Sequence, residues 1–356
     1  MENTRNATQI AQSRPPVAVI ILNWNGRALL EEYLPQVVAA SDKTLSRIIV
    51  ADNGSTDDSV AYLRSAFADT VEIMTFDKNY GFAEGYNKAL AICADYEYSV
   101  LLNSDVAPAS GWDKALYDFM QQNRDYAACQ PKILSYKDKT RFEYAGACGG
   151  FLDRDAYPFC RGRIFDSCET DAGQYDTPCR VHWASGACLM VRTSVYLVVG
   201  GLEKDFFAHM EEIDLCWRMR LAGYRLACVP AATVFHLGGG SLPAQNPFKT
   251  YLNFRNSLLM MHKNLPGSDR TWALIRRRLL DTIAWARFML TFDFKNAGAI
   301  IRAHRDFSKM RKKYTAHPSR NLLKDYSAYR RSILVQYFLY RRKAFSDLKG
   351  LPEDYL

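Results

Sequence analysis

Two hydrophobic periods alternate along the chain. Val17–Leu22 is an unbroken, largely β-branched run of the kind a buried parallel strand shows. After the polar turn Asn23–Gly26, Leu29, Leu30, Tyr33 and Leu34 recur at helical spacing within 27–39. A second apolar run, 47–51, stops at Asp52. The turn that follows predicts a helix from about Asp57, capped by Thr56 or Asp57. Residues 71–75 read as a third strand and 81–93 as a helix. Residues 98–102 read as a fourth strand, which stops at Asn103-Ser104-Asp105. Strand and helix in alternation predict an α/β layer fold on a parallel sheet. Ligands in such folds sit beyond the carboxyl ends of the strands, where Asp52 and Asp105 fall.

The second half is less regular. Residues 140–181 are rich in Gly, Asp, Arg and Cys with little periodicity, which predicts an ordered insertion carrying acceptor-side loops. Residues 187–191 read as a fifth main strand. Residues 211–223 form a strong helix with Ile213, Trp217 and Leu221 on one face, ended by Gly223. Two short strands are expected at 224–228 and 233–236, and several basic amphipathic helices over 248–340. The expected organisation is a disordered leader (1–14), a catalytic domain (15–246) and a basic helical region (247–356).

Charge sharpens that last boundary. Residues 247–356 hold 23 Lys and Arg against 8 Asp and Glu, a net of +15, within a chain of net +8. Such a tail meets an anionic surface. Its basic triplets at 276–278, 311–313 and 341–343 are interleaved with Trp272, Trp285, Phe288, Phe292, Tyr337 and Phe338. That pattern suits helices lying on the cytoplasmic face of a membrane. The alternative is that they pack on the catalytic domain and form a homodimer. The apolar stretch 284–292 is too short to cross a bilayer. Residues 1–16 lack the apolar core of a secretory signal. Nine cysteines without a CxxC pair predict reduced thiols in a cytoplasmic protein.

Several polar residues fall where chemistry is expected. Asp52 is placed to hydrogen-bond a pyrimidine or a ribose hydroxyl, with Asp57 and Asp58 left to cap the helix; a plain Asx turn is the alternative. Asp105 is placed to hold Mg2+ or Mn2+, with Asn103 on the same side. A helix cap is its alternative role. His236 is a further metal-ligand candidate as a neutral imidazole. Glu211, Glu212 and Asp214 crowd a first helical turn, which favours the helix dipole and raises their proton affinity. Glu212 leads as general base, with Asp214 and Glu211 behind it. Gly81, Phe82 and Gly85 open a helix whose backbone N–H groups can approach a nucleotide.

Eight motifs in order resemble the family 2 glycosyltransferases, in the rhamnosyltransferase-like branch with a GT-A fold. They are VIILNWNG, ADNGSTDDS, NYGFAEGYN, LLNSDV, WASGACLMVR, GGLEKDFF, EEIDLCWRMRLAGYR and VFHLGGGS. The resemblance runs from about Pro16 to Pro266. It implies a Rossmann-like mixed sheet flanked by helices, and an inverting, cation-dependent transfer. The donor would be a nucleotide-diphosphate sugar, with rhamnose among the sugars. The acceptor would be a glycan or lipid-linked glycan in cell-surface polysaccharide synthesis, with no nucleic-acid partner. It places Asn23, Asn25, Asp52, Asn53, Gly54, Gly81, Phe82, Asn87, Asn103 and Asp105 around the nucleotide sugar. It places Trp183, Ser185 and Gly186 on the acceptor side, and His236 near the metal and diphosphate. Two positions depart from the family pattern: Asn103 replaces the first acid of DxD, and Glu212 replaces a frequent Asp. The competing readings are a nucleotidyltransferase, which would carry a basic Gly-rich loop where NWNGR stands, and a non-enzymatic binder of anionic surfaces.

Overall fold

The apolar runs form one end of a mixed sheet in a computed structural model that describes residues 14–238, 246–325 and 328–352. β1 (Val17–Asn23), β2 (Ser46–Asp52), β3 (Glu72–Thr75) and β4 (Tyr98–Leu102) run parallel in the spatial order β4-β1-β2-β3. They are joined by α1 (Arg27–Ala40), α2 (Ser59–Ala66) and α3 (Gly81–Ile92). Asp57 Oδ1 accepts from Ser59 N at 3.1 Å, so this aspartate closes a turn ahead of α2 instead of heading the helix.

Beyond β4 the sheet departs from the sequence reading. β5 (Val106–Pro108) and α4 (Trp112–Gln122) lead into β6 (Tyr126–Ser135), a ten-residue strand with no clear signal. Gln130, Pro131 and Lys132 interrupt its apolar pattern, yet all three are buried. Gln130 Oε1 accepts from Ser185 N at 2.9 Å, and Lys132 pairs with Asp171 at 2.8 Å. Partners supplied by the fold make buried polar residues tolerable, and periodicity cannot see them. Within the insertion, β7 (Gly150–Leu152), β8 (Pro158–Cys160), β9 (Arg163–Ile164) and β10 (Ser167–Cys168) form a separate antiparallel sheet.

The chain returns to the main sheet through β11 (Cys179–Arg180) and β12 (Cys188–Arg192), the latter antiparallel to β4 and β6. After α5 (Thr193–Val198) and α6 (Glu211–Leu221) comes β13 (Arg225–His236). It is one strand where two were expected, because a bulge between Val229 and Thr233 bends it without ending it.

The basic region forms α7 (Pro247–Asn264), α8 (Gly267–Leu290) and α9 (Phe294–Met310). Helix does not continue to Tyr340. Past Arg311–Lys313 the described residues form only short 3-10 and π turns, and residues 328–348 strap the small sheet instead. Ile333 N donates to Asp153 Oδ2 at 2.8 Å, and the Phe345 ring lies 5.3 Å from Phe151. Tyr337 and Phe338, expected beside basic helix faces, pack on Phe165. Leu258, Leu259, Met260 and Met261 of α7 share one apolar core with Tyr86, Leu189 and Trp217. The expected leader, save Arg14, and the turn at Gly239–Ser241 lie outside the described residues.

Candidate active site

The carboxyl ends of the strands open into a cavity of about 620 Å³. Asn103 and Asp105 line it from the end of β4, Phe82 from the start of α3, and Ser185 and Gly186 from the approach to β12. Glu211 and Glu212 line it from the first turn of α6. The structure thus brings together these seven expected residues, with His236.

His236 meets Asp105 because β13 pairs with β5, setting His236 opposite Val106. Its Nε2 lies 3.1 Å from Asp105 Oδ1, and its Nδ1 lies 3.2 Å from Glu143 Oε2. The Nδ1 contact is off the hydrogen-bond axis, so it acts through charge. Burial alone would pull the imidazole pKa down, but Asp105 and then Glu143 outweigh it and lift the value to about 10. In this metal-free arrangement His236 is held protonated between two carboxylates, and to serve as the expected metal ligand it would release that proton. Burial also pushes Asp105 upward, yet His236 outweighs that and holds its carboxyl below the usual range. Among the described residues no group of three His, Cys, Asp or Glu side chains is placed to cage a metal. Asp105, ionised and lining the cavity, fits the other mode, in which one carboxylate and substrate phosphates hold Mg2+ or Mn2+.

The acids of α6 separate by environment. Burial pushes Glu212 up to about 7. Burial, and then the Glu212 charge, push Glu211 well above the carboxylate range. Each leaves a buried Oε2 without a partner. Asp214 does not line the cavity. It accepts from Arg218 at 2.9 Å, Asn264 at 2.8 Å and Lys263 at 3.0 Å, and these groups outweigh burial to keep it ionised. It is a structural anchor for α7, contrary to its candidacy as base.

Just before α6, Phe207, His209 and Met210 all take left-handed backbone angles, with φ of 67°, 68° and 72°. Non-glycine residues in that region cost about 1 kcal/mol or more each and persist only when their surroundings hold them. Asn256 of α7 does so: its amide donates to the carbonyls of Phe206, Ala208 and His209 at 2.8–2.9 Å. Arg255 adds bonds to the Asp205 and Phe206 carbonyls. This loop delivers His209 to the cavity, where burial, then Lys249, lower its pKa to about 4. Lys249 also lines the cavity from α7. Glu143, His209, Lys249 and Asn256 carried no sequence signal, since each acquires its role only through tertiary contact.

The expected nucleotide residues form a locked set of turns beside the cavity. Register sets Asn23 opposite Asp52, and Asn23 Nδ2 donates to Asp52 Oδ2 at 2.9 Å. Ser55 N donates to Asp52 Oδ1 at 2.9 Å. Asp52 is 2% exposed and makes the Asx turn itself, so it is not the free carboxylate expected. Asn25 Oδ1 accepts from Thr56 N, and Asn53 Oδ1 accepts from Tyr80 N. Gly54, at φ 73°, lets the backbone at Lys78 approach: a Cβ there would lie 2.5 Å from Lys78 C. Gly81, at φ 78°, starts α3. Asn87 is turned away from the cavity and bonds Leu202 and Tyr196. Trp183 is also displaced from its expected acceptor role. It is buried, its Nε1 donates to Phe151 O at 2.9 Å, and its ring covers Gly150.

Comparisons with known proteins agree with this geometry. The Glycosyl transferase family 2 model matches residues 18–196. An N-acetylglucosaminyl-diphospho-decaprenol L-rhamnosyltransferase of Mycobacterium tuberculosis is 25% identical over 234 residues, 61% of this chain and 75% of that protein. The rhamnosyltransferase WbbL of Escherichia coli is 29% identical over 163 residues, 44% of this chain and 61% of its own. Among solved structures, S. aureus TarS in complex with UDP-GlcNAc aligns with a TM-score of 0.54 at 14% identity, over 82% of this chain and 80% of that one. GalNAc-T7 with UDP, GalNAc and Mn2+ gives 0.54 at 13%, over 70% and 48%. The nucleotidyltransferase and non-enzymatic readings fall away, and the chain belongs to the family 2 glycosyltransferases, with a GT-A fold.

Proposed function

We propose that this enzyme inverts configuration as it moves rhamnose from a nucleotide-diphosphate donor to a lipid-linked glycan. Its place is on the inner face of the cell membrane, in cell-surface polysaccharide synthesis. The observation that carries the reaction type is the placement of Glu212, whose buried Oε2 meets no donor, in the same cavity as Asp105. The sugar and acceptor are supported by the names of the Mycobacterium and Escherichia relatives.

In the reaction, an acceptor hydroxyl gives its proton to a Glu212 carboxylate oxygen. The freed oxygen attacks the anomeric carbon, and the bond from that carbon to the diphosphate breaks, its electron pair leaving on the phosphate oxygen. Burial makes Glu212 basic enough to accept a proton near neutral pH while a useful fraction stays ionised. Lys249 supplies positive charge on the α7 side of the cavity. The turns around Asp52 and Gly54 present the nucleotide's seat, and Ser185 and Gly186 border the acceptor. Asp105 would hold Mg2+ or Mn2+, which when bound offsets charge on the diphosphate.

The test is a panel of nucleotide sugars with Mn2+, read as released nucleoside diphosphate with and without a polyprenyl-diphosphate-linked acceptor. A dTDP-rhamnose signal that rises with acceptor is expected. Preference for another sugar would overturn the rhamnose assignment, and release of pyrophosphate would overturn the reaction type.

A further inference from the structure

α8 is apolar on the side that faces away from the protein. Ala273, Leu274, Arg277 and Asp281 are its buried residues. At 100° per residue the opposite face carries Trp272, Ile275, Leu279, Ile283 and Leu290. These side chains stand in solvent: Trp272 is 64% exposed, Ile283 67% and Leu290 81%. Phe292, Phe294 and Ile301 continue the exposed surface through the turn and along α9. A surface helix ordinarily puts polar residues there, and a contiguous exposed apolar patch marks an interaction site.

Charge identifies the partner. Arg278 and Arg287 are exposed on α8, and Lys295 and Arg302 on α9; Arg276 is exposed too but pairs with Asp155. The acids of the two helices are occupied. Asp281 is buried against Arg277 and His304, Asp269 pairs with Lys324, Asp293 caps α9, and Asp306 bonds Tyr251 and Arg305. The surface is therefore an apolar stripe with a cationic border. A second copy covering it through the same face would bring like charges together, whereas lipid headgroup phosphates complement them. No helix among the described residues is long and apolar enough to cross a membrane, so contact would be at the interface.

We infer that the α8–α9 face is the surface by which this enzyme lies on an anionic bilayer, with Trp272, Leu279, Ile283 and Leu290 among the acyl chains. The inference deepens the proposed membrane-side function and rests on it for its purpose. The expectation from charge alone changes in one respect: the contact uses α8 and α9, while Tyr337 and Phe338 engage Phe165 of the catalytic body.

The test uses the full chain and vesicles of phosphatidylcholine, with and without phosphatidylglycerol. The protein should sediment with the anionic vesicles at low salt and be released at high salt. The double substitution Leu279→Glu/Ile283→Glu, at exposed positions, should cut sedimentation about 10-fold or more with an unchanged melting temperature. Wild-type protein left in the supernatant would overturn the inference, as would a double variant that sediments like wild type. So would light scattering that shows a wild-type dimer, broken by the double variant, without vesicle capture. Nucleoside diphosphate release without lipid is measured on both proteins. It should be equal in the two, and its absence from both would count against the transferase reading while leaving the sedimentation result standing.

Discussion

Asp214 and Glu212 lie two residues apart in one helical turn, yet their surroundings divide them. Three donors meet Asp214, and none meets the buried Glu212 Oε2. Asp214→Asn should therefore act on stability. It removes the carboxylate of Arg218 while Lys263 keeps Glu203 at 2.6 Å, and should cost about 1.5–3 kcal/mol, read as a lower urea midpoint. A variant as stable as wild type would contradict this. Glu211 carries the opposite sign. Its raised folded-state pKa means it contributes stability below about pH 4.5, its unfolded value, and loses it as pH rises through the folded value. Glu211→Gln should melt close to wild type in acid and above it at alkaline pH. Asp105 is tested by binding: Asp105→Ala should fold normally but lose the Mn2+-dependent thermal stabilisation that a nucleoside diphosphate gives wild type. Undiminished stabilisation would remove Asp105 from the metal assignment.

Elements, more than single residues, decide whether these groups meet. β1, β2 and β4 were legible because each holds an unbroken apolar run, and β3 was the shorter, half-buried strand at the sheet's edge. Asp52 and Asp105 were legible because polar residues stop those runs. β6 was not, since Gln130, Pro131 and Lys132 look like a turn until Ser185 and Asp171 are placed beside them. Nor was the strained loop 207–210 visible, because its conformation is imposed by α7, some fifty residues later. Asn256→Ala withdraws the amide that gathers three of its carbonyls. We expect kcat/KM to fall at least ~10-fold through misplacement of Glu212 and His209, with nucleoside diphosphate binding retained. Full activity in a folded Asn256→Ala protein would show that the loop holds itself.

Taken whole, the molecule places its candidate active site between the main sheet and a helical region that shares its core. Beyond the boundary expected from charge at residue 246, Lys249, Thr250 and Asn253 line the cavity and Leu258–Met261 lie in the common core. Composition can report where charge lies; it cannot report which apolar face is turned inward, and α8 shows the difference. The central claim is that burial tunes Glu212 as the base of sugar transfer. It is tested most directly by the pH dependence of kcat/KM for wild type and Glu212→Gln, measured with saturating metal. Wild type should rise with pH to a plateau, with its midpoint at about 7. Glu212→Gln should be ~10²-fold slower and lose that rise. A Glu212→Gln enzyme that keeps near-wild-type turnover, or the same midpoint, would contradict the account.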